Sequence, residues 1–203
     1  MTNLLQHDPV CHFVDTIQQQ ASGVLFALKE RHEINSNLLL FCYWFTVNQQ
    51  GLLSKLHIKQ LLSAIHPWHQ KVIIPLQKLC HQIKAAKNVD LWTLEDVGYE
   101  DAVELLSMAE YFELQLISDL IVKKSRGSRT TAVQKIIHTC LNISSYCQAA
   151  HIFLDERDYE YLSTIMLIVF PEIEVNKTIA LVRHTLSEER AKEPLQKNLW
   201  FGL

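Results

Sequence analysis

The chain has 203 residues, of which 48% are hydrophobic and 20% are charged, a globular balance that argues against intrinsic disorder. Its formal charge of −3 excludes a globally basic nucleic-acid-binding protein. The longest apolar run, Leu38 to Phe45, is far shorter than the ~20 residues that a membrane span needs. The first eight residues lack the basic and apolar regions of a signal peptide. Five cysteines, an odd number, favour reduced thiols in a cytoplasmic protein.

Helix signals appear from the beginning of the chain. Asp8 precedes a proline at the first helical position, and apolar residues follow at helical spacing. Gly23 interrupts this pattern, so we expect a second, short helix after it. Asn35 or Ser36 caps the next helix, whose body at 38–45 is apolar all round, which places it at the centre of the core.

The middle of the chain predicts three more helices. One begins after Ser54 and ends at His66-Pro67, because the residue before a proline disfavours helical geometry. The next runs from Trp68 to about residue 86 and is expected to kink at Pro75. A capping box at 93–96 then begins a long helix that ends near residue 124.

The polar segment 125–129 is the best candidate for a linker. Beyond it, an apolar stripe over 133–147 and the segment 175–192 predict helices. The run 164–170 fits either a helix or a buried strand, because periodicity does not separate the two over so few residues. We therefore predict an all-α bundle of about seven to eight helices, with a core at 1–125 and a C-terminal helical extension at 128–203, which together could pack as one domain.

Charge is segregated along the sequence. No Asp or Glu occurs between residues 34 and 89, a stretch that carries six lysines. Residues 90–119 reverse this, with nine acidic residues and neither Lys nor Arg. The simpler interpretation is that the acidic helix packs against the lysine-bearing helices; the functional interpretation is a docking surface for a protein of opposite charge.

Catalytic and metal motifs are weak. His66, His69, Cys80 and His81 lie on one predicted helical stretch and leave open a small metal-dependent or cysteine-dependent enzyme. The chain has no CxxC, HExxH, GxSxG or phosphate-binding glycine loop. We therefore expect no catalytic residue, no metal and no cofactor. A regulator that touches nucleic acid through the lysine block is the other alternative, disfavoured because that block has no arginine.

The C-terminal end is apolar and follows a glutamate-rich patch at 187–193. Burying each large side chain of this end is worth roughly 1.5–3 kcal/mol, so the tail is expected either to dock on its own bundle or to anchor another chain. A glutamate cluster near the C-terminus also occurs in substrates of some type IV secretion systems.

The run Asn37 to Trp44, followed by Trp68 and by Val72-Ile73-Ile74-Pro75-Leu76, resembles an uncharacterised family of all-helical proteobacterial proteins. The resemblance covers roughly residues 10–120 and implies the fold rather than an activity. The family tends to carry arginines after the Pro-Leu pair, where this chain has Gln77 and Cys80. In size, helicity, charge and apolar tail the chain is also similar to LvgA-like adaptor subunits of a type IVB secretion coupling complex.

These observations predict a cytoplasmic, non-catalytic adaptor or chaperone-like subunit of a larger bacterial complex. We expect it to bind no nucleic acid and not to insert into a membrane. Its expected partner is a protein, for example an amphipathic helix laid between its own helices. The residues expected to contact the partner lie on the acidic helix and in the tail: Glu100, Asp101, Glu104, Glu110, Glu113, Leu199, Trp200, Phe201 and Leu203.

Overall fold

The computed structural model describes residues 8–49, 51–86, 95–120 and 130–192, and these ranges form helices without a strand. The predicted all-α fold is confirmed. The elements are α1 (Pro9–His32), α2 (Ser36–Gln49), α3 (Lys55–Trp68), a π-helical segment (His69–Ile73), α4 (Ile74–Ala86), α5 (Glu95–Leu120), α6 (Ala132–Ala149), α7 (Glu156–Val169) and α8 (Val175–Lys192).

Helix α2 forms the centre of the core, as its uniformly apolar sequence predicts. Residues 38–43 are completely buried. Asn35 caps the helix, because its Oδ1 accepts a hydrogen bond of 2.9 Å from the backbone N–H of Leu38. Helices α1, α5 and α6 pack around α2. This arrangement explains why α2 has no polar face.

The interruption expected at Gly23 occurs two residues earlier. Helix α1 runs from Pro9 to His32, and it is kinked at Ala21, whose φ of −119° and ψ of 20° are non-helical. Gly23 itself is exposed and lies in the part of the helix after the kink. The helix ends where Glu33 adopts the left-handed conformation at φ 53°.

The expected helix end at Pro67 is wrong, because α3, the π-helical segment and α4 form one continuous stretch from Lys55 to Ala86. Pro67 and Pro75 are both exposed, so water can satisfy the carbonyl groups that their missing N–H groups leave unpaired. Between them the backbone N–H of Ile74 donates to the carbonyl of His69 five residues back. A π-helical segment, rather than a simple proline kink, therefore precedes Pro75.

The strand interpretation of residues 164–170 is wrong as well, since α7 extends to Val169. A capping box between Asp155 and Asp158 begins α7 and stabilises its first turn as a helix. Its buried residues Tyr159, Leu162 and Ile165 follow helical spacing.

Helices α6–α8 share an apolar cluster with the helices before residue 120. Polar contacts join the same parts of the chain: Asn142 Oδ1 accepts from the Leu53 N–H at 2.8 Å, and Tyr43 donates to the Leu162 carbonyl at 3.1 Å. The division of the chain at 125–128 stays a prediction about independent folding. No helix in the described ranges has both the length and the apolar content needed to cross a membrane.

Candidate functional site

The most unusual feature of the core is a buried carboxylate on α5. Glu113 is 1% exposed and lies on the inward face of the helix, in helical register with Ala109 and Ile117. Its Oε1 accepts a hydrogen bond from Asn35 Nδ2 at 3.0 Å and lies 2.9 Å from His69 Nδ1. Its Oε2 accepts from Asn37 Nδ2 at 2.9 Å. Since an unpartnered buried charge is costly, these three partners are what make the burial tolerable.

The local backbone places each of the three donors. Asn35 and Asn37 lie at the beginning of α2, where the first backbone N–H groups of the helix need partners. Asn35 uses its Oδ1 for the helix cap, so its Nδ2 is directed to Glu113. His69 begins the π-helical segment and is held against α5. In proteins, π-helical turns occur often at functional sites.

The hydrogen bonds assign the tautomer of His69. Asn35 Nδ2 also lies 2.9 Å from His69 Nδ1, but two N–H donors do not bond to each other. Because both atoms approach the same Glu113 oxygen, Nδ1 of His69 carries the proton and donates it to the carboxylate. In the neutral form of this ring, the lone pair lies on Nε2.

A cleft of about 540 Å³ opens between α1, the π-helical segment, α4 and α5, and we name it the α1–α5 cleft. Its apolar wall consists of Phe26, Ile34, Ile74 and Leu106. Its polar residues include Lys29, Glu30, Glu33, His69, Gln77, Lys78, Cys80, His81 and Glu110. The volume lies within the ~300–1,000 Å³ range of small-molecule sites.

Two side chains that line the cleft have pKa values shifted away from their ordinary values. Burial raises the pKa of Glu110, although Gln77 Nε2 donates to its Oε1 at 3.2 Å and Lys29 attracts it. Burial also lowers the pKa of Lys29, outweighing the attraction of Glu110. Shifted groups that converge on a cleft mark a candidate functional site.

His69 also lines a second cleft, of about 480 Å³. It is lined by four histidines, His32, His66, His69 and His151. In the part of the chain that the structure describes, no three His, Cys, Asp or Glu side chains are grouped so that they could hold a metal ion.

Cys80 and His69 are too far apart along the helix to act together. Cys80 follows His69 by eleven residues on the same helical stretch, on the order of 16 Å of rise, so the two do not form a nucleophile–base pair. Burial raises the pKa of Cys42 and of Cys140 to about 12, which keeps these thiols protonated and unreactive.

The acidic residues predicted to contact a partner divide into two groups. Glu113 is buried, and Glu110 is half-buried and bonded to Gln77, so both face the interior of the protein. Glu100, Asp101 and Glu104 are exposed. The four predicted tail residues, 199–201 and 203, lie outside the described ranges.

Helix α5 packs against α3 and α4, as the simpler interpretation of the charge segregation predicts. The exposed carboxylates of α5 are nevertheless not used there: Glu100, Asp101 and Glu104 form no ion pair within the described ranges. The polar contacts between these helices include Gln77 with Glu110, His69 with Glu113, and the Trp68 Nε1–H with the Ala109 carbonyl.

The solvent side of α5 is partly apolar. Leu105 is 54% exposed, Met108 56% and Phe112 43%, and their spacing places them on one side of the helix. Asp101 and Glu104 lie on the same side, one turn towards the helix N-terminus. We name these five residues the α5 surface.

The sequence predicted Asn35 only as a helix cap, indicated no site role for Asn37 or Lys29, and placed Glu113 on the surface. One signal could have found Glu113: Ala102, Ala109 and Ile117 define an apolar helical stripe, and Glu113 lies in that stripe. A charged residue within an apolar stripe predicts a buried, partnered charge.

The fold and the site define an all-helical protein with a buried carboxylate–histidine pair beside two clefts. Residues 15–116 match the model of a family described as a protein of unknown function, DUF2390, and the chain belongs to this family. The expected membership of an uncharacterised family is thereby confirmed. All the residues of the buried cluster lie within the matched range. No curated protein and no solved structure matches the chain.

Proposed function

We propose that the protein is a non-catalytic, protein-binding adaptor and that the α5 surface contacts its partner. The observation that carries the proposal is the set of exposed side chains Leu105, Met108 and Phe112, next to Asp101 and Glu104, which form no ion pair with another described residue. Large apolar side chains grouped with polar residues are typical of interaction sites. Met and aromatic residues are enriched at such sites, and Met adapts to varied partners.

The chemistry of the surface specifies the partner. An amphipathic helix would place its apolar side on Leu105, Met108 and Phe112, and its lysines or arginines would meet Asp101 and Glu104. Opposite charges would set the orientation and speed the encounter more than they would raise the affinity. Phe112 is also in contact with Trp68, at 4.6 Å between ring centroids, so the apolar area continues onto α3.

The wider setting belongs to the same proposal. The subunit would act in the cytoplasm within a larger bacterial complex, for which a type IV secretion coupling complex with an LvgA-like adaptor is the specific hypothesis. The apolar residues Leu199, Trp200, Phe201 and Leu203 would provide a second contact.

The experiment compares two variants in which arginine replaces exposed apolar side chains, on α5 in one variant and on α8 in the other. Leu105→Arg/Met108→Arg changes the α5 surface, whereas Val175→Arg changes a side chain that is 53% exposed on α8. Each tagged protein is expressed from its own gene locus in its native cell, and the proteins that copurify with it are quantified by mass spectrometry.

We expect the α5 variant to lose a stoichiometric protein partner that the wild type and Val175→Arg both retain. Equal recovery by all three proteins would contradict a role for the α5 surface. Deleting residues 194–203 in the wild type tests the tail in the same way, and unchanged recovery would remove it from the contact.

A further inference from the structure

Exposed charges of both signs are left without ion pairs on two neighbouring helices, α3 and α5. Within the described ranges, the ion pairs of Lys and Arg side chains involve Arg31, Arg183 and Lys192. Lys55 and Lys59 are exposed on α3 and form no ion pair with another described residue. Although α3 packs against α5, these lysines do not meet the carboxylates of the α5 surface in the same molecule.

The lysines of α3 lie next to exposed apolar side chains. Leu56 is 64% exposed and follows Lys55 directly, and Leu52, which is 52% exposed, precedes the helix by three residues. Lys55 and Lys59 are four residues apart, so they lie on the same side of the helix. We name Leu52, Lys55, Leu56 and Lys59 the α3 surface. It has the apolar and cationic groups that the α5 surface requires of its partner.

The α3 and α5 surfaces match in pattern and are opposite in charge. On α5, two carboxylates adjoin Leu105 and Met108, whereas on α3 two ammonium groups adjoin Leu56. If two α5 surfaces met each other, their carboxylates would repel, and two α3 surfaces would repel in the same way. A contact of α5 with α3 instead brings opposite charges together around an apolar centre.

We infer that the α5 surface of one copy binds the α3 surface of a second copy of this chain. The inference rests on the proposed function, because it uses the same α5 surface and names its partner. Each surface covers only about two to three helical turns, on the order of 10–16 Å. A contact of this size is weak and reversible. Dilute protein is therefore monomeric, with its α5 surface open.

The test measures the mass of the whole purified protein by sedimentation equilibrium, from low micromolar to submillimolar concentration and at low and high salt. Asp101→Lys/Glu104→Lys reverses the charge of the α5 surface, and Lys55→Glu/Lys59→Glu reverses that of the α3 surface. A third variant carries all four substitutions. Its net charge equals the −3 of the wild type, so any recovery of association comes from the positions of the charges.

A control variant changes the net charge without touching either surface. Glu172→Lys/Glu174→Lys replaces two exposed carboxylates between α7 and α8 and adds as much positive charge as the α5 variant does. We expect this control to associate as the wild type does.

We expect the mass of the wild type to rise above the 23.5 kDa of the monomer as concentration increases. High salt should weaken this association, because it screens the charges on the two surfaces. Reversing one surface alone should weaken association at least tenfold, since like charges then face each other. The variant with all four substitutions should recover association, because each surface again meets its opposite charge.

A wild-type protein that stays monomeric at every concentration would overturn the inference and leave the proposed function standing, with a different protein on the α5 surface. Undiminished association after one surface is reversed would overturn it as well, as would failure of the folded fourfold variant to recover. Urea unfolding identifies the variants that fold, and the concentration and salt dependence of the wild type decides the matter without them. Conversely, self-association through these surfaces without any copurifying protein would contradict the adaptor function and support this inference.

Discussion

The imidazole Nδ1 of His69 lies 2.9 Å from Oε1 of Glu113, and this contact joins the π-helical segment to the buried face of α5. The pair has two consequences. It holds a carboxylate in the core, where Asn35 and Asn37 donate two further hydrogen bonds to the same carboxylate. It also fixes which ring nitrogen of His69 faces the carboxylate.

Glu113→Gln tests the structural part of this relationship. The new amide group must direct its NH₂ at one of the three existing donors, so a buried donor loses its acceptor. We expect the free energy of unfolding to fall by about 2 kcal/mol, measured by urea denaturation. Glu104→Gln, on the exposed side of the same helix, should change it by less than about 0.5 kcal/mol.

The tautomer of His69 can be measured directly. Two-bond ¹H–¹⁵N correlation spectra of the neutral ring should show the proton on Nδ1 in the wild type. A neutral ring with its proton on Nε2 would contradict the assignment.

Asp158 is a second buried carboxylate and joins α7 to the end of α1. Arg31 Nε donates to its Oδ1 at 2.9 Å, and His32 Nε2 lies 2.8 Å from its Oδ2. Asp158→Asn should lower the free energy of unfolding by about 2 kcal/mol, because the amide turns a donor towards one of these groups. Glu160→Gln, whose carboxylate is 66% exposed and 3.8 Å from Arg183, is the matched control and should have almost no effect. A similar fall in the free energy of unfolding in both variants would show that the contacts of Asp158 with Arg31 and His32 do not stabilise the fold.

Buried thiols should make the protein less stable at alkaline pH. Burial raises the pKa of Cys140 from its ordinary value of 9.0 to about 12. Between these two values the unfolded chain releases the thiol proton and the folded chain keeps it, so the free energy of unfolding falls as pH rises. In Cys140→Ala this fall should be shallower when guanidinium unfolding is measured from pH 8 to about 11. Ile143→Val, a core change on the same helix without a titrating group, should keep the wild-type slope; an equally shallow slope there would contradict the explanation.

Cysteine accessibility gives a simple test of the packing. Cys80 is half-buried, and the other four cysteines are buried. A thiol reagent added to the folded protein should therefore modify Cys80 first, and peptide mapping identifies the position. Faster modification of Cys42 or Cys147 would contradict the arrangement of α2 and α6.

Much of the fold could be predicted because local signals agree with the packing. The run 38–45 has no polar side, so the sequence alone places α2 in the core, where the structure has it. The Asp8-Pro9 start of α1 is equally local, since Asp8 Oδ1 accepts from the N–H of Val10 at 2.8 Å. The break expected at Pro67 is wrong because this residue lies on the exposed side of a helical stretch that tertiary packing holds together. The interruption expected at Gly23 occurs two residues earlier, as the kink at Ala21.

The candidate site was harder to predict because it depends on distant residues. His69 and Glu113 come together only when the helix through Pro67 stays intact and packs on α5. Asn35 was interpreted as a helix cap, which is correct for its Oδ1, but its Nδ2 has a second partner that local sequence does not reveal. Charge segregation located the acidic helix, yet it did not distinguish the buried Glu113 from the exposed Glu104.

Oxidative footprinting of Met108 tests the proposed adaptor function most directly. Met108 is 56% exposed on the α5 surface, and Met166 is completely buried in α7 and serves as an internal reference. Hydroxyl radicals should oxidise Met108 readily in the free protein and at least fivefold more slowly in the purified complex with its partner, while Met166 stays slow in both. An equal oxidation rate of Met108 in the free protein and in the complex would show that the partner does not bind the α5 surface.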